Sequence, residues 1–321
     1  MSETLLKRAG VPEQTTSYNP PFKKIRGDTL AGYLFILPSI IGFTLFVLYP
    51  MVFSAYTSLT QWDGLSAPKF IGLDNYVYMF TKDPLFWLSL RATFYFVLLS
   101  VPGTLIAGLL LALLVNRQMA GIQVFRTLFY IPAVLPIVAS LTLWKFIFSP
   151  QLGLANAVLN SLHLPTSLWL GSEAMAVPSL AIINLWSTIG IVMVIFLGAL
   201  QGVSADLYEA ASLDGASKIR SFFNITIPMI SPIILLQLVL QMIGALQAFT
   251  QVSVLTQGAP NNATDFFMYK IYINGFGTLS SYPAMGYATA EVWVLFLIIA
   301  AITALTFRLS SIWVYEDNNL G

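Results

Sequence analysis

Long uncharged intervals divide the chain, and each is a candidate membrane crossing, because about 20 mostly apolar residues are needed to traverse the hydrocarbon core of a bilayer. No Asp, Glu, Lys or Arg lies between Asp28 and Asp63, so residues 31–59 read as the first span. Pro38 and Pro50 fall inside it and are tolerated as kinks where neighbouring helices re-satisfy the backbone. Residues 85–115 form the second span, 128–148 a shorter third between Arg126 and Lys145, and 174–200 the fourth between Glu173 and Asp206. The interval 221–264 is uncharged but polar near both ends, which narrows the fifth span to 228–255. The sixth, 285–307, contains Glu291.

This pattern predicts an all-α membrane protein with a six-helix core at 31–308, an N-terminal tail at 1–30 and a C-terminal tail at 309–321. Lys and Arg sort the two faces. Lys7, Arg8, Lys23, Lys24, Arg26, Arg117, Arg126, Lys218, Arg220 and Arg308 fall on the side of the termini, against Lys69, Lys82, Arg91, Lys145 and Lys270 on the other. The bias places both termini inside, in the cytoplasm. The first 27 residues lack an apolar core of the signal-peptide kind, so the first span is expected to direct insertion. Their Pro, Ser, Thr and Lys content points to a mostly disordered tail.

Composition agrees. Of 321 residues 57% are hydrophobic and 9% charged, where a soluble domain carries about 25% charge; mean hydropathy is +0.78. With no Cys and one His, disulfide scaffolds, Cys-ligated metals and thiol nucleophiles are excluded. A net charge of +1 provides no field for nucleic acid. No phosphate-loop, metalloprotease or hydrolase-elbow motif occurs, so no catalytic residue, metal or cofactor is assigned to this chain. His163, alone in a loop, reads as a packed or solvated residue.

The segment 204–227 on the side of the termini reads as two short helices. Ser204 caps the first, Asp206 and Glu209 complement its dipole, and Gly215 stops it in a left-handed conformation; Ser217 caps the second. Small residues for close approach (Ala210, Ala211, Gly215, Ala216), apolar knobs (Leu207, Leu213, Phe222, Phe223) and an acid for a charged partner read as a docking surface. Glu209-Ala210-Ala211, Asp214-Gly215-Ala216 and Ile227-Pro228, in that order, resemble the EAA loop of permease subunits of binding-protein-dependent ABC importers, in the carbohydrate-uptake branch of maltose and glycerol-phosphate type. The stretches 70–76 (FIGLDNY), 125–132 (FRTLFYIP) and 255–260 (LTQGAP) agree with it. The resemblance implies that Glu209, Ala210, Ala211, Asp214, Gly215 and Ala216 form a coupling helix seated on a partner ATPase dimer, which binds the ATP and magnesium. It also implies a second permease subunit, an extracytoplasmic binding protein and a sugar substrate.

A sugar pathway needs inward-facing polar groups. Gln237, Gln241, Gln247 and Gln251 fall within an arc of about 120° on an ideal helix, and Asn184 and Thr188 share a face one turn apart beside Ser187. Such amides and hydroxyls both donate and accept, as a neutral polyol requires. By resemblance to maltose-type permeases, the positions of Asn184, Ser187, Thr188 and Gln241 contact sugar; Asn184 and Trp186 match the family's Asn-x-Trp run, whereas 187–189 depart from it. Glu291, about two turns from the outer end of its span, either serves the pathway or pairs with a cation. A stand-alone secondary carrier is the alternative function, and Glu291 is the one span residue that would support it.

Overall fold

The computed structural model describes residues 27–117, 119–277 and 284–315. Most of the expected N-terminal tail and the last six residues of the C-terminal one lie outside these. The chain divides into two units, up to Phe53 and from Ser54 onward.

In the first unit, α1 (Gly27–Phe43) continues through a π-helical turn (Thr44–Leu48) into α2 (Tyr49–Thr57), which ends within the second unit. The helix begins four residues before the predicted span, while the stretch apolar enough to cross runs from Gly32 to Thr57, close to the predicted 31–59. The π turn has a local cause. Pro50 lacks an N–H and its ring crowds the preceding turn, so the ladder widens just upstream, with the Tyr49 N–H reaching back to Thr44 O. The same relationship recurs before Pro228, where Phe222–Thr226 is π-helical and the Ile227 N–H bonds to Phe222 O.

In the second unit a two-stranded ribbon pairs β1 (Thr60–Gln61) with β2 (Lys69–Phe70), antiparallel, Thr60 opposite Phe70. The stretch 70–76 closes it. Gly72 takes a left-handed φ of +65°, and Asn75 Nδ2 donates to Ser58 O and Thr60 O, both at 2.9 Å. Asp63 holds the ribbon turn. The Ser66 and Leu65 N–H groups and the Ser66 hydroxyl donate to Asp63 Oδ1, which lowers that carboxyl to about 2.

After α3 (Asp74–Thr81), α4 (Pro84–Val115) is the second span; the Asp83 carboxylate caps it by accepting from the Leu85 N–H. The next crossing is not one helix. It consists of α5 (Ile122–Val134) and α6 (Ile137–Ile147), bent by 98°. This corrects the single span expected at 128–148, and the reason is Pro136: it drives Leu135 out of the helical region to ψ 143°, and is itself extended at ψ 123°. A loop with α7 (Leu154–Ser161) follows. The Asn156 amide fastens it, donating to Pro150 O and Ser167 O and accepting from Ser167 N and Trp169 Nε1. His163 is exposed there.

The long α8 (Glu173–Gln201) leads to α9 (Ala205–Leu213) and α10 (Lys218–Ser221), and then to α11 (Ile227–Leu246). The fifth span also departs from expectation. Its helix stops at Leu246, crosses Gln247–Phe249 in non-helical conformations and resumes as α12 (Thr250–Leu255). Then come α13 (Phe267–Phe276) and α14 (Met285–Ser310), the sixth span. Counting the bent pair once, up to six segments are long and apolar enough to cross a membrane.

The core shows how the spans run. Ala92 and Phe96 of α4 pack with Val177 and Leu180 of α8, while Ala112 and Val115 pack with Phe196, Leu197 and Leu200. The two helices are therefore parallel, and their C-terminal ends share a side with the hairpin 204–227. Gly108 permits the close approach, since a Cβ there would lie 2.5 Å from Val192 Cγ1.

Candidate functional site

Two breaks in the spans meet around one cavity. The α5–α6 bend contributes Pro132, Leu135 and Ser140, and the α11–α12 interruption contributes Gln247, Phe249 and Gln251. Between them, α8 presents Asn184, Trp186, Ser187 and Thr188. Its volume is about 390 Å³. Non-helical backbone at membrane depth is tolerated where it lines such a cavity, because its freed N–H and C=O groups then find polar partners. With about 1.5 Å of rise per residue, Asn184 lies some 16 Å from the start of α8, well inside its length of about 43 Å.

Among the described residues the lining carries no charged side chain. Ser187 and Thr188 both donate to Asn184 O, at 2.9 and 2.7 Å, so their oxygens remain as acceptors. Trp186 stands at one side and meets Trp144 edge-on at 5.5 Å. The Trp144 Nε1–H is buried without a hydrogen-bond partner among the described residues. The arrangement suits a neutral, hydroxyl-rich solute, with amides for its hydroxyl groups and aromatic faces for its C–H faces.

Not every predicted pathway residue arrives there. Asn184, Ser187, Thr188, Gln247 and Gln251 line the cavity; Gln241 and Gln237 do not. Gln237 is 1% exposed and its Nε2 has no partner among the described residues. The expected polar stripe assumes one unbroken helix through 251, whereas α11 ends at Leu246 and Gln247 and Gln251 beyond it no longer share the phase of Gln237 and Gln241. Glu291 is also elsewhere. It is fully buried, and Lys270 Nζ lies 2.5 Å from its Oε1 and 2.6 Å from Asp83 Oδ2. Lys270, assigned from sequence to a loop, is itself buried, and the two carboxylates hold its ammonium above the ordinary lysine range against the opposing effect of burial. Sequence reasoning missed Ser140 and the role of Leu135; the Pro132 and Pro136 pair, four residues apart, was the signal for both.

At the far end of α8 the hairpin has the predicted caps. Ser204 Oγ accepts from the Asp206 N–H and Ser217 Oγ from the Arg220 N–H. Helix α9 ends in a Schellman motif: Ala216 N–H bonds to Ala211 O, Gly215 N–H to Ser212 O, and Gly215 takes φ +73°. Glu209, Ala210, Asp214 and Gly215 are exposed, Ala211 and Ala216 half-buried, and Leu213 is 90% exposed. The hairpin is tied back to the spans by Tyr208 Oη and Thr226 Oγ1 at 2.9 Å.

Residues 104–316, from within α4 to beyond α14, match the family described as binding-protein-dependent transport system inner membrane component. The chain belongs to that family. The permease is 39% identical to the probable ABC transporter permease protein YesP of Bacillus subtilis (strain 168), over 92% of this chain and 95% of that one. It is 34% identical to the sulfoquinovosyl glycerol transport system permease protein SmoG of Agrobacterium fabrum, covering 88% and 91%. The figure is again 34% for the sn-glycerol-3-phosphate transport system permease protein UgpA of Yersinia pestis bv. Antiqua, covering 86% and 92%. Among solved structures, the permease resembles a chain of a bacterial ABC transporter that imports the acidic polysaccharide alginate, with TM-score 0.76 and 24% identity over 88% and 96% of the two chains. A bacterial alginate ABC transporter in complex with an alginate pentasaccharide-bound periplasmic protein matches at the same TM-score and identity. The permease is thus a membrane-embedded subunit of the sugar ABC importer type. Among its described residues no group of three His, Cys, Asp or Glu could hold a metal.

Proposed function

We propose that this permease is one of two membrane subunits that together pass a neutral sugar or polyol, delivered by an extracytoplasmic binding protein, across the cytoplasmic membrane. Its hairpin, through Glu209, Ala210, Ala211, Asp214, Gly215 and Ala216, docks in a cleft of a separate ATPase dimer, which holds the ATP and magnesium. Both termini then lie in the cytoplasm, on the hairpin's side.

The observation that carries this reading is the uncharged cavity at the meeting of two broken spans, with Asn184, Thr188 and Gln247 in its wall. The Leu213 side chain, left almost wholly exposed on a rigid, capped hairpin, supports the docking role. Such a knob gains from burial in a partner. A carrier driven by protons needs an ionisable group on its path, and Glu291, the acid within a span, is instead committed to Lys270 and Asn274.

The test is purification of the chain from its native membrane in mild detergent, with mass spectrometry of its companions. A second multispan chain and a phosphate-loop ATPase are expected, and ATPase activity stimulated by a sugar-loaded binding protein. Recovery of the chain alone, still catalysing uptake without ATP, would overturn the proposal.

A further inference from the structure

At the end of the permease opposite the hairpin lies a second cavity, of about 630 Å³, lined by Asp83, Gln257, Asn262, Asp265, Tyr269 and Tyr287 among others. Its charges do not balance. Asp83, Asp265 and Glu291 bring three carboxylates to this corner, and Lys270 is the one cation among the described residues that line it. Most of these groups are satisfied. Asp83 Oδ1 accepts from the Leu85 N–H, and its Oδ2 from Lys270 and Tyr287. Glu291 accepts from Lys270 and Asn274.

Asp265 differs. Its Oδ2 accepts from Ser89 Oγ at 2.9 Å, and no other described group bonds to the carboxylate, although the residue is only 8% exposed. Burial pushes this carboxyl above its ordinary range, and the Ser89 hydroxyl and the Lys270 charge offset that only in part. A buried carboxylate with a free oxygen calls for a counter-charge.

The surroundings indicate what form it takes. The cavity is far larger than a single dehydrated ion requires, and its walls include Tyr78, Tyr269 and Tyr287, flat faces suited to an alkyl stem or a guanidinium plane. The Tyr269 ring and the Asp265 Cβ both lie 3.6 Å from where a Cβ on Gly258 would stand, so the two side chains meet beside this glycine. Gln257 and Asn262, exposed at the rim, offer amide oxygens to further N–H groups.

We infer that this cavity receives a lysine or arginine side chain of the extracytoplasmic binding protein, its cationic head on Asp265 and its stem against Tyr269 and Tyr287. The inference rests on the importer reading above, which places this end of the permease where a delivered solute arrives.

The test uses the assembled importer in nanodiscs and a binding protein that stimulates its ATPase activity, with affinity measured over a salt series. Asp265→Asn is expected to weaken binding about tenfold and to flatten its salt dependence. Asn262→Asp, at a rim position whose left-handed φ of +60° aspartate tolerates, is expected to tighten binding and steepen that dependence. Asp265→Lys should be rescued by a Glu at one Lys or Arg position of the binding protein. Assembled variants that bind with unchanged affinity and salt slope would overturn the inference. So would n-butylguanidinium raising the thermal midpoint through Asp265 while binding-protein affinity ignores that residue, since the site would then serve a free cation. If no binding protein stimulates the wild-type complex, the importer reading falls and takes the inference with it; a normal wild-type response with indifferent variants sinks the inference alone.

Discussion

Lys270 and Glu291 form a buried ion pair, Nζ to Oε1 at 2.5 Å, that joins the short α13 to the last span, and Asp83 extends it to the start of α4. One ammonium thus fastens three elements. Removing it leaves two buried carboxylates facing each other without a counter-ion, a loss of about 3–5 kcal/mol. Lys270→Met is therefore expected to lower the thermal midpoint of the purified chain sharply. Glu291→Gln should cost less, because Lys270 keeps Asp83, and uptake per assembled complex should be preserved. Combining Lys270→Met with Glu291→Leu should recover part of the loss. Independent, additive effects in that double-mutant cycle would show the pair uncoupled.

Gly190 sets the spacing between α8 and the first half of the broken span. A Cβ there would lie 2.3 Å from Phe129 O and 2.9 Å from Tyr130 Cα, both backbone atoms that cannot swing aside. Gly190→Ala should destabilise the chain by about 1–3 kcal/mol, with the larger loss for Gly190→Val. Thermal unfolding in detergent checks this. Gly198→Ala, where nothing lies within 4 Å, is the control expected to stay near wild type.

The hairpin predictions separate docking from folding. Glu209 is exposed, so Glu209→Lys should leave membrane insertion and thermal stability unchanged while abolishing ATP-driven uptake. Gly215→Pro should uncouple as well, because proline is confined to φ near −65° and cannot adopt the +73° that ends α9. Uptake and ATPase assays on the reconstituted complex decide; full activity in both variants would remove the docking role.

In the cavity between the broken spans, Asn184→Leu and Gln247→Leu should raise the KM for sugar with little effect on assembly, since both side chains face open space. Gln237→Leu is the contrasting case. Its buried Nε2 has no partner among the described residues, so an apolar replacement of similar size should be neutral or stabilising by about 1 kcal/mol, without changing KM. Transport kinetics beside melting curves distinguish the two.

Asp265 gives a pH dependence of definite sign. Its folded-state pKa lies above the unfolded value of 3.8, so the folded chain holds the proton more tightly. That stabilisation is complete below 3.8 and is lost as pH rises through the raised folded value. In the absence of a bound cation the thermal midpoint should fall across that window, and Asp265→Asn should abolish the fall. A slope unchanged in the variant would assign it to another group.

The unbroken spans were legible along the chain because a bilayer imposes its requirement residue by residue: any crossing needs a long uncharged run, and 84–115, 173–201 and 285–310 meet it almost end to end. The caps at Ser204 and Ser217 and the stop at Gly215 were legible for the same reason, since each depends on neighbours within four residues. The bend at Leu135–Pro136 was written in the prolines and still passed as a single span, because composition cannot distinguish a kink from a 98° break.

The break at Gln247–Phe249 has no proline or other local signature, and with it went the phase of the glutamine stripe. Helical phase carries only as far as the helix itself, so the irregular turn after Leu246 places Gln247 and Gln251 independently of Gln237 and Gln241. Lys270, Asp83 and Glu291 lie far apart in sequence and met only when α13 folded back against α4 and α14. The amino-acid sequence alone determined that this chain lives in a membrane, where it crosses, and which hairpin it presents on one side. Tertiary structure decided which polar groups line a cavity and which neutralise one another, because burial and pairing are properties of neighbours in space.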